Sequence, residues 1–245
     1  MSPPTLLVFS AHPSDFCSRA GGTIALYTGQ GARVHVVVMT YGERDRSEDY
    51  WRVGGERSLA EARLARRAEA EEAAKILGAS IEFMGFEDEP LQFDGARIDG
   101  LARLVRAHRP DAVLTHWRMD PFEAGHAATT AAALRAITTA ASPGFDYPEP
   151  KAAPPYVFGF EPTLPRNEAA GFLPDHFVDI DEVFEVKMRA LGALKSQTRL
   201  VGTFTLWSEY RALQACQQSN HTVRHAEAFQ RLTPTVDTAL PLRRV

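Results

Sequence analysis

Histidines and carboxylates gather where the strand-like runs of this 245-residue chain end. The first run, Thr5–Ala11, leads into His12-Pro13-Ser14-Asp15, and the second, Arg33–Thr40, into Tyr41-Gly42-Glu43-Arg44. A later run, Ala112–Thr115, is followed by His116, Asp120 and His126. Ligands of open parallel sheets bind outside the carboxyl ends of the strands, so these groups share one crevice if the strands are neighbours. Imidazole together with carboxylate suits zinc, and three protein ligands leave one coordination position for water or substrate. Spacing alone does not choose the ligands, because a strand-end histidine also serves as a hydrogen-bonded structural residue. His35 and His108, on strand and helix flanks, read as structural in that way.

The elements that must position these residues alternate. Thr5–Ala11 (TLLVFSA) is apolar without a period of two, as in a strand covered on both faces. A turn through His12–Ser18 precedes a helix over Arg19–Gln30, with Gly31 at the C′ position. Arg33–Thr40 is β-branched, and a strand, helix and strand in succession make a right-handed crossover. Tyr41–Gly55 is polar and reads as irregular; Glu56–Leu77 is a helix closed by Gly78. Ser80–Met84 reads as a strand, Ile98–His108 as a helix, Ala112–Thr115 as a strand and Ala127–Ala141 as a helix. This alternation predicts an α/β fold, a Rossmann-like three-layer sandwich with a mainly parallel sheet. Beyond a Pro-rich loop at Ser142–Pro155, Tyr156–Phe160 and His176–Ile180 read as strands. Asp181–Leu194 reads as a helix with Asp181 as its N-cap. With no repeat and no linker, one domain over residues 1–245 is expected.

The bulk composition narrows the partners. Lys and Arg number 27 against 31 Asp and Glu, a net charge of −4 that gives no footprint for nucleic acid. No apolar run approaches the roughly 20 residues of a membrane helix. Met1-Ser2-Pro3-Pro4-Thr5 lacks the basic start of a signal peptide. Two cysteines, Cys17 and Cys216, fit a reducing compartment, so a cytoplasmic location is expected.

The segment Ala11-His12-Pro13-Ser14-Asp15-Phe16, followed by Arg19-Ala20-Gly21-Gly22-Thr23-Ile24, resembles the signature of the LmbE/PIG-L superfamily of zinc-dependent deacetylases. That signature reads A-H-P-D-D-E with a glycine pair in the first helix. The likeness extends to His176–Ile180, Lys187, Ser196-Gln197 and Ala226-Glu227-Ala228-Phe229, and so covers most of the chain. Two departures matter. The first Asp of the motif, the general base of the deacetylases, is Ser14 here, and a serine hydroxyl cannot act as a base near neutral pH. The usual upstream His of the third motif is Glu123. The pattern is more similar to the 4-oxalomesaconate hydratase branch of the superfamily. That branch carries a small residue at the base position and shares Asp15-Phe16, Gly42-Glu43-Arg44, Trp51-Arg52-Val53-Gly54, Asp120-Pro121, Phe160-Glu161-Pro162 and Tyr210-Arg211. Glu123 replaces an Asn of that branch and Gly125 an Asp, so the resemblance gives a class of substrate and not one molecule.

The resemblance implies a zinc ion held by His12, Asp15 and His126, with Glu43 as the general base. Ser14, His116, Asp120 and Glu123 are expected around the ligands. A tricarboxylate substrate needs cations, and Arg makes bidentate contacts with carboxylates, so Arg19, Arg44, Arg52 and Arg211 are the candidates. The implied activity is hydration of an unsaturated oxo-tricarboxylate from gallate or protocatechuate breakdown, by a homo-oligomer acting on a small-molecule carboxylate. The alternative is an N-acetyl deacetylase of the PIG-L type.

Overall fold

Thr5–Ser10 forms β1 in the middle of the sheet, and its buried apolar residues point alternately to two helical layers. The computed structural model describes residues 3–44, 46–163, 169–218 and 222–234, so the ends of the expected 1–245 domain lie outside the described residues. In chain order the elements are β1, α1 (Asp15–Gly29), β2 (Arg33–Val38), α2 (Glu48–Arg52), α3 (Leu59–Ile76), β3 (Ser80–Phe83), α4 (Gly95–His108), β4 (Ala112–His116) and α5 (Ala124–Ala141). They continue with β5 (Tyr156–Phe160), β6 (His176–Asp179), α6 (Phe184–Gly192), α7 (Leu200–Gln218) and β7 (Ala226–Arg231).

The strands form a seven-stranded sheet in the order β3-β2-β1-β4-β5-β7-β6. Pairings from β3 through β5 are parallel, and β7 runs antiparallel to both β5 and β6. On one face, Leu6, Val8, Val36 and Val38 pack with Ile24 of α1, Ala73 of α3 and Leu191 of α6. On the other, Leu7, Phe9 and Val37 pack with Leu101 and Val105 of α4 and Ala133 and Ala136 of α5. The expected three-layer α/β sandwich is the observed architecture.

Local differences have physical causes. Helix α1 begins at Asp15 and not at Arg19, so part of the expected ligand turn is helical. The segment read as irregular contains α2. Asp181 caps no helix: it opens a 3-10 turn, and its carboxylate accepts hydrogen bonds from the backbone N–H groups of Arg224 (3.1 Å) and His225 (2.8 Å). Gly31 and Gly78 do occupy C′ positions, at φ 85° and 75°, where a left-handed backbone favours glycine.

The late strands are tied to α1 through a buried charge. Glu227 of β7 accepts from the backbone N–H groups of Gly22 (2.8 Å) and Thr23 (2.7 Å) in the interior of α1. Lys187 Nζ lies 2.8 Å from Glu227 Oε1, and both side chains are buried. The approach is close enough that a Cβ on Gly22 would fall 2.7 Å from Ile180 Cγ2.

Candidate active site

The turn after β1 is built around Asp15. Ser10 Oγ donates to the His12 carbonyl (2.7 Å) and accepts from the Phe16 N–H (3.2 Å), which folds His12 back over the start of α1. Asp15 Oδ2 then accepts from the His12 backbone N–H at 2.8 Å and stands 3.1 Å from His12 Nδ1. Burial alone would raise the Asp15 carboxyl, but His126, Arg19 and His12 around it hold it well below the ordinary carboxylate range. The residue is therefore an anion in the interior. Arg19, one helical turn on, donates to Asp15 Oδ1 at 2.8 Å.

From the other side of the crevice, the first turn of α5 delivers His126. Its Nε2 lies 3.5 Å from Asp15 Oδ2, and its Nδ1 lies 2.8 Å from Asp120 Oδ2. Asp120 also accepts from the Thr163 N–H and hydroxyl, and these partners with His126 overcome burial and keep its carboxyl below the usual range. An ionised Asp120 draws the ring proton to Nδ1 and leaves the Nε2 lone pair facing Asp15. That Nε2 is buried and has no hydrogen-bond partner. Ligand atoms of His12, Asp15 and His126 all lie within 4.8 Å of one another. Two imidazoles, one carboxylate and an orphaned buried nitrogen fit a zinc-like ion.

Two further residues frame the triad. His116 Nε2 accepts from the Ala11 N–H at 2.9 Å, and its ring stacks on His126 at 3.9 Å. Burial, followed by the neighbouring His126, holds its pKa well below the ordinary imidazole range, so the ring is neutral. Asp88 escaped the sequence reading, because it sits in the acidic run Phe86-Glu87-Asp88-Glu89 without a motif of its own. It is buried, accepts from Thr40 Oγ1 (2.9 Å) and lies 3.6 Å from His12 Nε2. Each histidine of the triad thus has a carboxylate on the ring edge away from Asp15. Such carboxylates orient metal-binding imidazoles and raise their basicity.

A cavity of about 250 Å³ opens beside the triad, lined by Ser14, Asp15, Ser18, Arg19, Arg46, Glu48, His126, Thr163, Gln197, Leu200, Thr203 and Phe204. Of the candidate arginines, Arg19 lines it, with its Nε donating to the Glu161 carbonyl at 2.8 Å. Arg211 is buried and engages the same Glu161 through its carboxylate, Nε to Oε1 at 2.9 Å and NH2 to Oε2 at 2.6 Å. Arg44 and Arg52 are exposed and outside the lining; the Arg44 N–H donates to Asp88 at 3.2 Å, and Arg52 lies 3.5 Å from Asp49 Oδ1. Arg46 does line the cavity and is paired with the Glu123 carboxylate. Glu123 itself caps α5, accepting from the Gly125 N–H at 3.2 Å.

Glu43 follows Gly42, whose Cβ position would stand 3.5 Å from His12 Cβ. Its side chain is buried, with Oε1 held by Arg63 Nε at 2.7 Å and Oε2 without a hydrogen-bond partner, but it is not among the cavity-lining residues. Glu48 is. Its Oε1 pairs with Arg199 at 2.9 Å, and its Oε2 is buried without a partner. The sequence offered no signal for Glu48, which lies in the short helix that went unread.

Comparison with known proteins gives the family of the chain. Residues 7–137, which include His12, Asp15 and His126, match the family model PIG-L, described as GlcNAc-PI de-N-acetylase. The chain is 37% identical over 234 residues to a 4-oxalmesaconate hydratase of Pseudomonas putida, covering 94% of this chain and 90% of that protein. It superposes on the crystal structure of GalB, the 4-carboxy-2-hydroxymuconate hydratase from Pseudomonas putida KT2440, with a TM-score of 0.91 at 36% identity, covering 97% of this chain and 100% of that one. A diacetylchitobiose deacetylase of Thermococcus kodakarensis is 29% identical over 235 residues, 92% of this chain and 82% of its own. The chain belongs to the PIG-L family.

Proposed function

We propose that this protein is a zinc-dependent hydratase that adds water to an unsaturated oxo-tricarboxylate of the 4-oxalomesaconate type, in the breakdown of aromatic acids such as gallate or protocatechuate. The reading includes one domain over residues 1–245, a cytoplasmic location and a homo-oligomeric assembly. Among the described residues no helix is long and apolar enough to cross a membrane. The observation that carries the hydratase reading over a deacetylase is Ser14. It lines the cavity next to Asp15, where a deacetylase of this family would place its carboxylate base. The hydratase relatives add weight because their similarity spans nearly the whole chain.

His12, Asp15 and His126 would hold the ion, with Asp88 and Asp120 orienting the two rings. When bound, zinc supplies a Lewis acid for the oxygen of the substrate or of water. The remaining work falls to side chains. Adding water to a conjugated double bond breaks an O–H bond of water, forms a C–O bond at the carbon distal to the carbonyl, and later protonates the carbon next to it. A carboxylate must take the first proton, and we assign this to Glu43, which the family pattern indicates and whose Oε2 has no partner. Glu48 is the second carboxylate with an unpartnered oxygen and is the one lining the cavity, so both are to be tested. Arg19 and Arg46 supply positive charge at the cavity wall for the substrate carboxylates. Arg211 positions Arg19 through their shared partner Glu161. Ser14, His116 and Glu123 complete the surroundings of the ligands.

The decisive experiment assays one zinc-loaded preparation in parallel for 4-oxalomesaconate hydration, by ultraviolet absorbance, and for N-acetylglucosamine deacetylation, by amine release. Hydration without deacetylation is expected. Deacetylation without hydration would reverse the assignment.

A further inference from the structure

His35 and His108 read as structural residues in the sequence, but the fold joins them to Glu82 on the face of the sheet covered by α4. In the register of β2 and β3, His35 lies beside Ser80 and Val37 beside Glu82, so His35, Ser80 and Glu82 project from the same face. His35 Nδ1 is 2.7 Å from Ser80 Oγ, and His35 Nε2 is 3.0 Å from Glu82 Oε1. His108, the last residue of α4, stacks on His35 with ring centroids 4.2 Å apart. Ligand atoms of the three residues lie within 4.8 Å of one another. We propose that His35, Glu82 and His108 form a second site for a divalent transition metal such as zinc, separate from the triad beside the cavity.

The hydrogen bonds around His35 make the case. Ser80 Oγ donates to the Val34 carbonyl at 3.2 Å, so toward His35 it accepts, and the Nδ1 proton points at it. That bond fixes the ring and turns Nε2 toward a carboxylate oxygen. A ring nitrogen facing an anion at 3.0 Å calls for a cation between or beside them, either a proton or a metal. Two ligands about 2.0–2.1 Å from a tetrahedral zinc lie roughly 3.3 Å apart, close to the separation already present. The Ser80 contact then plays the part of the outer hydrogen bond that orients metal-binding histidines.

His108 supplies the other nitrogen. Its ring lies flat against that of His35, which brings its nitrogen within 4.8 Å of the ligand atoms of His35 and Glu82. It also sits at the carboxyl end of α4, where the helix dipole favours a cation. Arg33, the neighbouring cation, directs its guanidinium to Thr5 Oγ1 at 2.9 Å. The Glu82 side chain is 39% exposed, which leaves access for an ion and for water as the fourth ligand.

This inference is independent of the proposed activity and is tested without it. The His12→Ala/His126→Ala variant removes two ligands of the first site; its zinc uptake is read by equilibrium dialysis with elemental analysis. Cobalt(II) provides the coordination number through its visible absorption. One ion per chain is expected, falling to none when His108→Ala is added. Ser80→Ala should weaken binding about 10–100-fold. The same loss is readable in the unaltered background as two ions per chain falling to one with His108→Ala alone, should the double variant fail to fold. No uptake by a folded double variant, or uptake that His108→Ala leaves unchanged, overturns the proposal.

Discussion

His126 Nδ1 stands 2.8 Å from Asp120 Oδ2, while the opposite ring nitrogen, Nε2, is buried among Asp15 and His12 with no hydrogen bond. The carboxylate sets which nitrogen carries the proton, and so which one is free to bind an ion. Asp120→Ala should therefore weaken zinc binding about 10–100-fold while the fold is kept, and Asp88→Ala should do the same through His12. His126→Ala should abolish high-affinity binding at the triad together with activity, and chelation should do so reversibly. Competition titration with a chromophoric chelator measures each constant. Unchanged affinity in both Asp variants would mean that neither carboxylate orients a ligand.

The base is settled by three substitutions. Glu43→Gln keeps the shape of the side chain and removes its basicity, so turnover should drop by about 10²–10⁴-fold with zinc content intact. Ser14→Ala should change the rate by less than about tenfold, since only a net hydrogen bond is lost. Glu48→Gln is the counter-test: a dead Glu48→Gln beside an active Glu43→Gln moves the base to the cavity wall.

Arginines at the wall and arginines in the loop should behave differently. Arg46→Ala should raise KM for a tricarboxylate, as a charge-assisted contact of about 1.5–3 kcal/mol would be lost. Arg44→Ala and Arg52→Ala, exposed and outside the lining, should alter KM far less and mainly at low salt. Steady-state kinetics at two ionic strengths separates the two groups. Equal effects from all three would show that the substrate reaches beyond the cavity described.

The buried ion pair makes a prediction about stability. Lys187→Met leaves Glu227 charged in the interior with two N–H donors but no cation, a change that typically costs about 3–5 kcal/mol. Gly22→Ala should also destabilise strongly, because its Cβ would overlap Ile180. Urea titration followed by circular dichroism reads both, and a shift of less than about 1 kcal/mol in Lys187→Met would contradict the burial argument.

A smaller, pH-dependent effect is expected at Asp181. Burial raises its carboxyl, but the Arg224 and His225 N–H groups and the His225 ring outweigh this and leave it below the ordinary value of 3.8. A carboxyl depressed in the folded state stabilises above its unfolded value and loses that contribution as pH falls through the folded one. The stability difference between the natural chain and Asp181→Asn should thus be constant near neutrality and shrink below about pH 4.

The parts legible in sequence were those whose burial pattern matches their period. The β1 run and the βαβ unit that follows it were readable because both faces are covered and Gly31 marks the helix end. Helix α7 was not, because along it buried Phe204 and Arg211 alternate irregularly with exposed Leu206 and Leu213. Strand β7 was masked by Glu227, a charge that is buried only because it meets Lys187 and α1. Within the site, His12, Asp15 and His126 were brought together as the motif implied. Asp88 and Glu48 acquire their places only from the packing of the turns after β2 and β3, which no local pattern encodes.

The bond from Glu227 to the middle of α1 crosses 205 positions of sequence. The helix that begins with Asp15 is therefore completed by an element far along the chain, and β6 gains its pairing in the sheet through the same strand. A nascent chain that has exposed all three triad residues, but not yet residue 227, still lacks the partner for two amides of that helix. Helix α1, which carries Asp15 at its start, therefore gains this anchor only once β7 has packed against it.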